Sequence, residues 1–132
     1  MRLAVPQVRA GALSRPETLL RILAVSARFP EPLINFAIYD ELGVIVRSVD
    51  LAWPDFRVAL QYEGDGHREK RRFRNDISRD EECFDADWHP MKAHADDLFV
   101  DPGQLLARVS RRLSSRGFAI RREIPKIAPF RP

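Results

Sequence analysis

A single cysteine, Cys83, in 132 residues has nothing to pair with inside the chain. That excludes an internal disulfide framework and any multi-cysteine zinc site, and it fits a reducing compartment. Long hydrophobic runs are also missing: no apolar stretch approaches the roughly 18–20 residues needed to cross a bilayer. Met1 to Leu13 has no compact apolar h-region, so no secretory leader is expected and a cytoplasmic location follows by default. Nor is there a large excess of either charge. Lys and Arg number 22 against 19 Asp and Glu, a formal net charge of +3. With 45% hydrophobic and 31% charged residues, the composition is that of a globular chain and not a disordered one. The length suits one domain with its own core and does not suit two.

The small net charge conceals segregation along the chain. Arg68, Lys70, Arg71, Arg72, Arg74 and Arg79 are opposed locally only by Glu69 and Asp76. From Asp80 to Asp101 the sign reverses, with Lys92 as the only base. Positive charge then returns at Arg108, Arg111, Arg112, Arg116, Arg121, Arg122 and Lys126. Such blocks suggest a basic surface that meets phosphates, although a solvated helix face is an equally common use of any one run.

Local signals give the element order. Ser14-Arg15-Pro16-Glu17 reads as a capping box with a first-turn proline, opening a helix with Leu19, Leu20, Ile22 and Leu23 as its apolar stripe. Phe29-Pro30-Glu31-Pro32 must end it. Ile34 to Tyr39, Val44 to Leu51 and Arg57 to Glu63 read as three strands of an antiparallel meander. Glu41-Leu42-Gly43 and Ala52-Trp53-Pro54-Asp55 supply the turns. Gly64-Asp65-Gly66 breaks the third strand. A helix is expected over Arg68 to Asp85, with Phe73, Ile77 and Phe84 towards the core. Trp88 to Ala93 is a short strand that Pro90 marks as an edge or a bulge. Asp101-Pro102 starts an amphipathic helix through about Ser114, with Leu105, Leu106, Val109 and Leu113 buried, and Gly117 closes it. The expectation is an α/β (α+β) domain over 14–116, a four-stranded mixed sheet flanked by helices. Residues 1–13 read as a remnant or linker, and 117–132 as an irregular Pro/Arg-rich tail, partly disordered.

Alternation on the third strand puts Val58, Leu60 and Tyr62 on one face and Ala59, Gln61 and Glu63 on the other. Asp50, at the end of the preceding hairpin strand, can reach the same edge, and His67 follows after a glycine-punctuated turn. Two carboxylates, an amide oxygen and an imidazole suit a hard divalent cation such as Mg²⁺. Such a metal activates water and stabilises charge on a phosphoryl oxygen, and a histidine near its usual pKa handles the proton. Acidic residues at strand ends are by themselves commonly just solvated. It is the four together, beside a basic segment, that point to a site.

The motif series resembles a bacterial family known as domain of unknown function 559, over Ser14 to about Arg112. It runs through Ser14-Arg15-Pro16-Glu17 with Arg21, then Val49-Asp50-Leu51-Ala52-Trp53-Pro54, then Val58-Ala59-Leu60-Gln61-Tyr62-Glu63-Gly64 with His67. Arg74-Asn75-Asp76 with Arg79, Trp88 and Ala95-Asp96-Asp97-Leu98 complete it. That family is related to very-short-patch-repair (Vsr-like) endonucleases of the PD-(D/E)XK superfamily. The resemblance implies a restriction-endonuclease-like core and a Mg²⁺- (or Mn²⁺-) dependent DNA endonuclease. It implies Asp50 as the metal-binding aspartate, Glu17 as the first-helix glutamate that often completes such sites, and His67 near the scissile phosphate.

Two positions depart from the family's pattern. Gln61 falls where the family usually has glutamate. Glu63 falls where it usually has aspartate and where the superfamily signature has its lysine, leaving Lys92 or His67 to supply positive charge. Arg68, Arg71, Arg72, Arg79 and Lys92 are the expected nucleic-acid contacts. Asp76 and Arg79, three apart, suit an ion pair as well as a phosphate contact. The alternatives are a degenerate module that binds nucleic acid or works in a toxin–antitoxin setting, as in AbiEi-type antitoxins, and a protein-interacting fragment. Such relatives carry a winged-helix region for which Met1 to Leu13 is too short.

Single residues have plainer readings beside these. Glu17 serves equally as a capping-box residue. Trp53, Trp88 and Cys83 suit the core. His89 and His94 suit the surface, with no zinc spacing between them. Arg111 and Arg112 can touch DNA, although a solvated helix face is the plainer reading.

Overall fold

The computed structural model describes residues 14–64 and 81–132. Helix α1 (Arg15–Ser26) begins at the capping box: the Glu17 N–H donates to Ser14 Oγ at 3.3 Å and the Ser14 N–H donates to Glu17 Oε1 at 3.0 Å. It buries Leu20, Leu23 and Ala24 and leaves Ile22 exposed. Strands β1 (Leu33–Tyr39), β2 (Ile45–Trp53) and β3 (Val58–Tyr62) form the antiparallel meander, and β4 (His89–Ala93) pairs parallel to β3. The sheet order is β1-β2-β3-β4. A parallel neighbour requires a crossover, and this is where the helix over Arg68 to Asp85 is expected. Of that helix, residues 81–85 are described and are helical. The domain is therefore α+β, with a four-stranded mixed sheet flanked by helices.

Several details differ from expectation. Strand β2 runs on through Trp53, and Pro54–Phe56 then forms a 3₁₀ turn that Arg57 closes in the left-handed region (φ 54°). A short helix, α2 (Ala95–Phe99), follows β4, started by the Asp97 carboxylate accepting from the His94 N–H at 2.8 Å. Phe84 is half exposed, and Cys83 occupies the buried position beside it, because the helical turn directs its neighbour inwards. Helix α3 (Pro102–Ser115) buries Leu105, Leu106, Val109 and Leu113, the expected stripe. The tail is irregular yet docked. Phe118, Ile124, Ile127 and Phe130 pack on the core, and the Phe130 N–H donates to the Leu98 carbonyl at 2.8 Å. Partly burying four large apolar side chains offsets the entropy that disorder would keep.

The sheet is covered on both faces. On one face α1 and α3 pack over Leu51, Trp53, Val58 and Leu60. On the other, Ile38, Val49, Ala52, Ala59, Cys83 and Trp88 form a second cluster. Residues two apart on a strand normally share a face. Val49 and Leu51 do not, and neither do their partners Phe36 and Ile34. Both strands turn over at Asn35 and Asp50. On β1 the cause is local: Asn35 has φ 49°, a left-handed conformation that asparagine tolerates and β-branched residues resist. Asn35→Val is expected to be about 1–2 kcal/mol less stable than Asn35→Gly in urea unfolding. Equal stabilities would remove the backbone explanation.

Candidate active site

The β2–β3 ladder pairs Trp53 with Val58, Ala52 with Ala59 and Leu51 with Leu60, and ends there among the described residues. Past this point the Tyr62 N–H donates to Asp50 Oδ2 at 2.7 Å, so a carboxylate takes a backbone donor that the ladder leaves over. Asp50 is half-buried at this fork. Glu17, in the first turn of α1, hydrogen-bonds to it, and Glu63 lies close enough to repel its charge. Burial, opposed by the Tyr62 N–H, and these two carboxylates push Asp50 up to about 6.

Glu17 thus holds both roles open to it, its Oε1 capping α1 while the carboxyl also meets Asp50. Glu63 is buried just past β3, where its N–H donates to the Ala93 carbonyl at 2.7 Å. Gln61, on the same face of the strand, has its Oε1 buried with no hydrogen-bond partner among the described residues. Lys92 stands opposite Gln61 in the parallel register. An unpaired buried amide oxygen costs about 1–3 kcal/mol, so its presence marks a place that expects a donor or a cation.

Among the described residues no three His, Cys, Asp or Glu side chains are arranged to hold a metal ion. The oxygen-bearing groups here are Asp50 with Glu17 and Glu63 around it, and Gln61, which the β2–β3 register continued one step sets opposite Asp50. These are hard oxygens, the kind Mg²⁺ and Mn²⁺ prefer. The raised Asp50 and the orphaned Gln61 oxygen are both deficits that a divalent cation would relieve, so the donor chemistry fits such an ion.

Asp50 has Glu17 and Glu63 close enough to act on its charge. His67, Arg68, Arg71, Arg72 and Arg79 lie outside the described residues, as do Asp76 and the rest of that motif. Trp53, Trp88 and Cys83 are core residues. His94 is exposed, whereas His89 is half-buried and lines a groove with Lys92, Arg108, Arg111 and Arg112. The sequence reading named Lys92, Arg111 and Arg112 one by one but did not join them with His89 and Arg108 into a groove. Its signal was the spacing of Arg108, Arg111 and Arg112, three and four apart on one side of a helix.

Two uncharacterized proteins of Mycobacterium tuberculosis, from strains CDC 1551 / Oshkosh and ATCC 25618 / H37Rv, are each 30% identical to the chain over 110 residues. The match takes in 83% of this chain and 40% of either relative, so the chain spans well under half the length of the curated relatives it matches. No protein-family profile and no solved structure matches the chain.

The pKa of Asp50 makes stability depend on pH. Its folded value, about 6, lies above the ordinary 3.8, so the folded chain holds the proton more tightly than the unfolded one. That stabilisation is complete below about pH 4 and is lost as the pH rises through about 6. Asp50→Asn is expected to flatten this loss and to be the more stable protein at pH 7–8, measured by urea unfolding across the range. Parallel pH profiles for the two proteins would refute it.

Proposed function

We propose that the chain is a Mg²⁺- (or Mn²⁺-) dependent DNA endonuclease of the Vsr-like, restriction-endonuclease-like kind, hydrolysing phosphodiester bonds. The observation that carries this reading is Asp50 held at the fork with Glu17 and Glu63 acting on its charge, opposite a Gln61 whose buried amide oxygen has no partner among the described residues. The motif series quoted above and the mixed-sheet architecture support it. Asp50 and Gln61 would hold the cation, with Glu17 able to complete its shell and Glu63 assisting. A bound divalent ion supplies a water of lowered pKa and a counter-charge for the phosphoryl oxygens. His67 takes the proton from the attacking water. Arg68, Arg71, Arg72 and Arg79 hold the DNA backbone through salt-sensitive contacts. Lys92, in register with Gln61, contributes the positive charge that the superfamily's lysine gives elsewhere.

A second reading has its own support. Gln61 is neutral where the family usually has an acid, and Glu63 occupies the lysine's place. A degenerate nuclease-fold module that binds nucleic acid, or serves in a toxin–antitoxin system of the AbiEi type, accommodates both. Cleavage of plasmid DNA with Mg²⁺ or Mn²⁺ decides between them. The wild type is expected to cut, Asp50→Ala to fall to background, and Gln61→Glu to cut faster. DNA binding without any metal-dependent cut, in the wild type and in Gln61→Glu alike, would leave only the second reading. Independently of activity, adding Mg²⁺ is expected to lower the carboxyl pKa of Asp50, followed by NMR. An unmoved titration would count against a cation at this fork.

A further inference from the structure

On the far side of β3 from the fork, the edge strand β4 and helix α3 enclose a groove of about 470 Å³. Its chemistry-bearing lining is His89, Lys92, His94, Arg108, Arg111 and Arg112. Carboxylates are scarce there. Asp97 approaches Arg108 only to 3.8 Å, and Asp87 pairs with Arg116 at 3.2 Å outside the groove. Arg111 and Arg112 have no carboxylate partner among the described residues, and Arg112 Nε is buried with no hydrogen-bond acceptor. The three arginines flank the buried stripe of α3, because positions 108, 111 and 112 fall beside 105, 109 and 113 on the helix surface. Packing of α3 on the core therefore fixes where their charge points.

We infer that this groove is a second nucleic-acid contact, seating backbone phosphates of the strand whose reacting phosphate lies at Asp50. The continuity runs through Lys92. It lines the groove and stands opposite Gln61 across one parallel ladder step, about 5 Å away. The arginine fork suits phosphate oxygens, and the orphaned Arg112 Nε is a donor awaiting one. An acidic peptide added to the β4 edge is the competing occupant. Pro90 argues against it, having no N–H to give an incoming strand. Burial and the nearby Arg112 and Arg116 hold His89 below its usual pKa, an electropositive setting that a seated anion would reverse. The inference takes the identity of the polyanion from the nuclease-fold reading, but not the cleavage chemistry.

The test is anisotropy titration of a DNA duplex in EDTA, where nothing is cut, over a series of salt concentrations. Arg111→Gln/Arg112→Gln is expected to bind about 10-fold or more weakly, and the slope of log K against log salt to shrink by about 1–2. Arg112→Lys is expected to recover part of the loss, and exposed Arg111→Gln alone to lose a share without unfolding. The His89 pKa, read by NMR, is expected to rise on adding duplex. Unchanged affinity and slope in the double variant overturn the inference. So does displacement of the duplex by an equal concentration of poly-glutamate, or an equal rise of His89 with inorganic phosphate at the duplex's concentration. A wild type that binds through these arginines yet never cuts DNA leaves the groove standing and ends the nuclease reading. Metal-dependent cutting with binding indifferent to the arginines does the reverse.

Discussion

The antiparallel ladder between β2 and β3 gives way to a side chain: Asp50 Oδ2 accepts the Tyr62 N–H at 2.7 Å just beyond the Leu51–Leu60 pair. The arrangement of the site follows from this substitution. A backbone donor left unpaired at the fork would cost about 1–3 kcal/mol, and a carboxylate is a strong acceptor for it. Holding the carboxylate there brings it against the first turn of α1. Glu17 is fixed in that turn by its own capping bond to the Ser14 N–H. The two acids meet because one is needed by the sheet and the other by the helix. Burial and the resulting repulsion raise Asp50 to about 6, a cost the fold carries at this fork.

The reversal of faces at Asn35 and Asp50 serves the same end. Without it, β1 and β2 would present one apolar face along their whole length, and the second cluster around Ile38, Val49 and Trp88 would be on the wrong side. With it, the sheet is covered twice. Asp50 falls at the changeover, half-buried and belonging to neither core. Charge is distributed across the sheet in a corresponding way: acids gather at the β2–β3 fork, bases along the β4–α3 groove, and Lys92 opposite Gln61 lies between them.

Much of the fold was legible because its signals are local. The capping box at Ser14 and Glu17, the alternation over Val58 to Glu63 and the stripe at Leu105, Leu106, Val109 and Leu113 each depend on a few neighbouring residues, and each element forms where they stand. The misses were of another kind. Cys83 is buried as expected, but Phe84, expected beside it in the core, is half exposed, because one helical position of phase decides which side chain turns inwards and periodicity over a short turn cannot fix that phase. The tail contains no repeat of any period, so its docking through Phe118 and Phe130 depends wholly on a surface made elsewhere in the chain.

The site divides along the same line. Residue types and spacing determined that Gln61 and Glu63 project together and that Asp50 ends the neighbouring strand, since a strand's period and a short turn leave little choice. Only the tertiary structure decided that Glu17 reaches Asp50, because that contact spans a helix and a sheet joined by no local rule. Tertiary packing alone also left Gln61 Oε1 buried and unpartnered and turned three helix-surface arginines towards the edge of β4. Burial is a property of what surrounds a residue, and a sequence states its neighbours in the chain but not its neighbours in space.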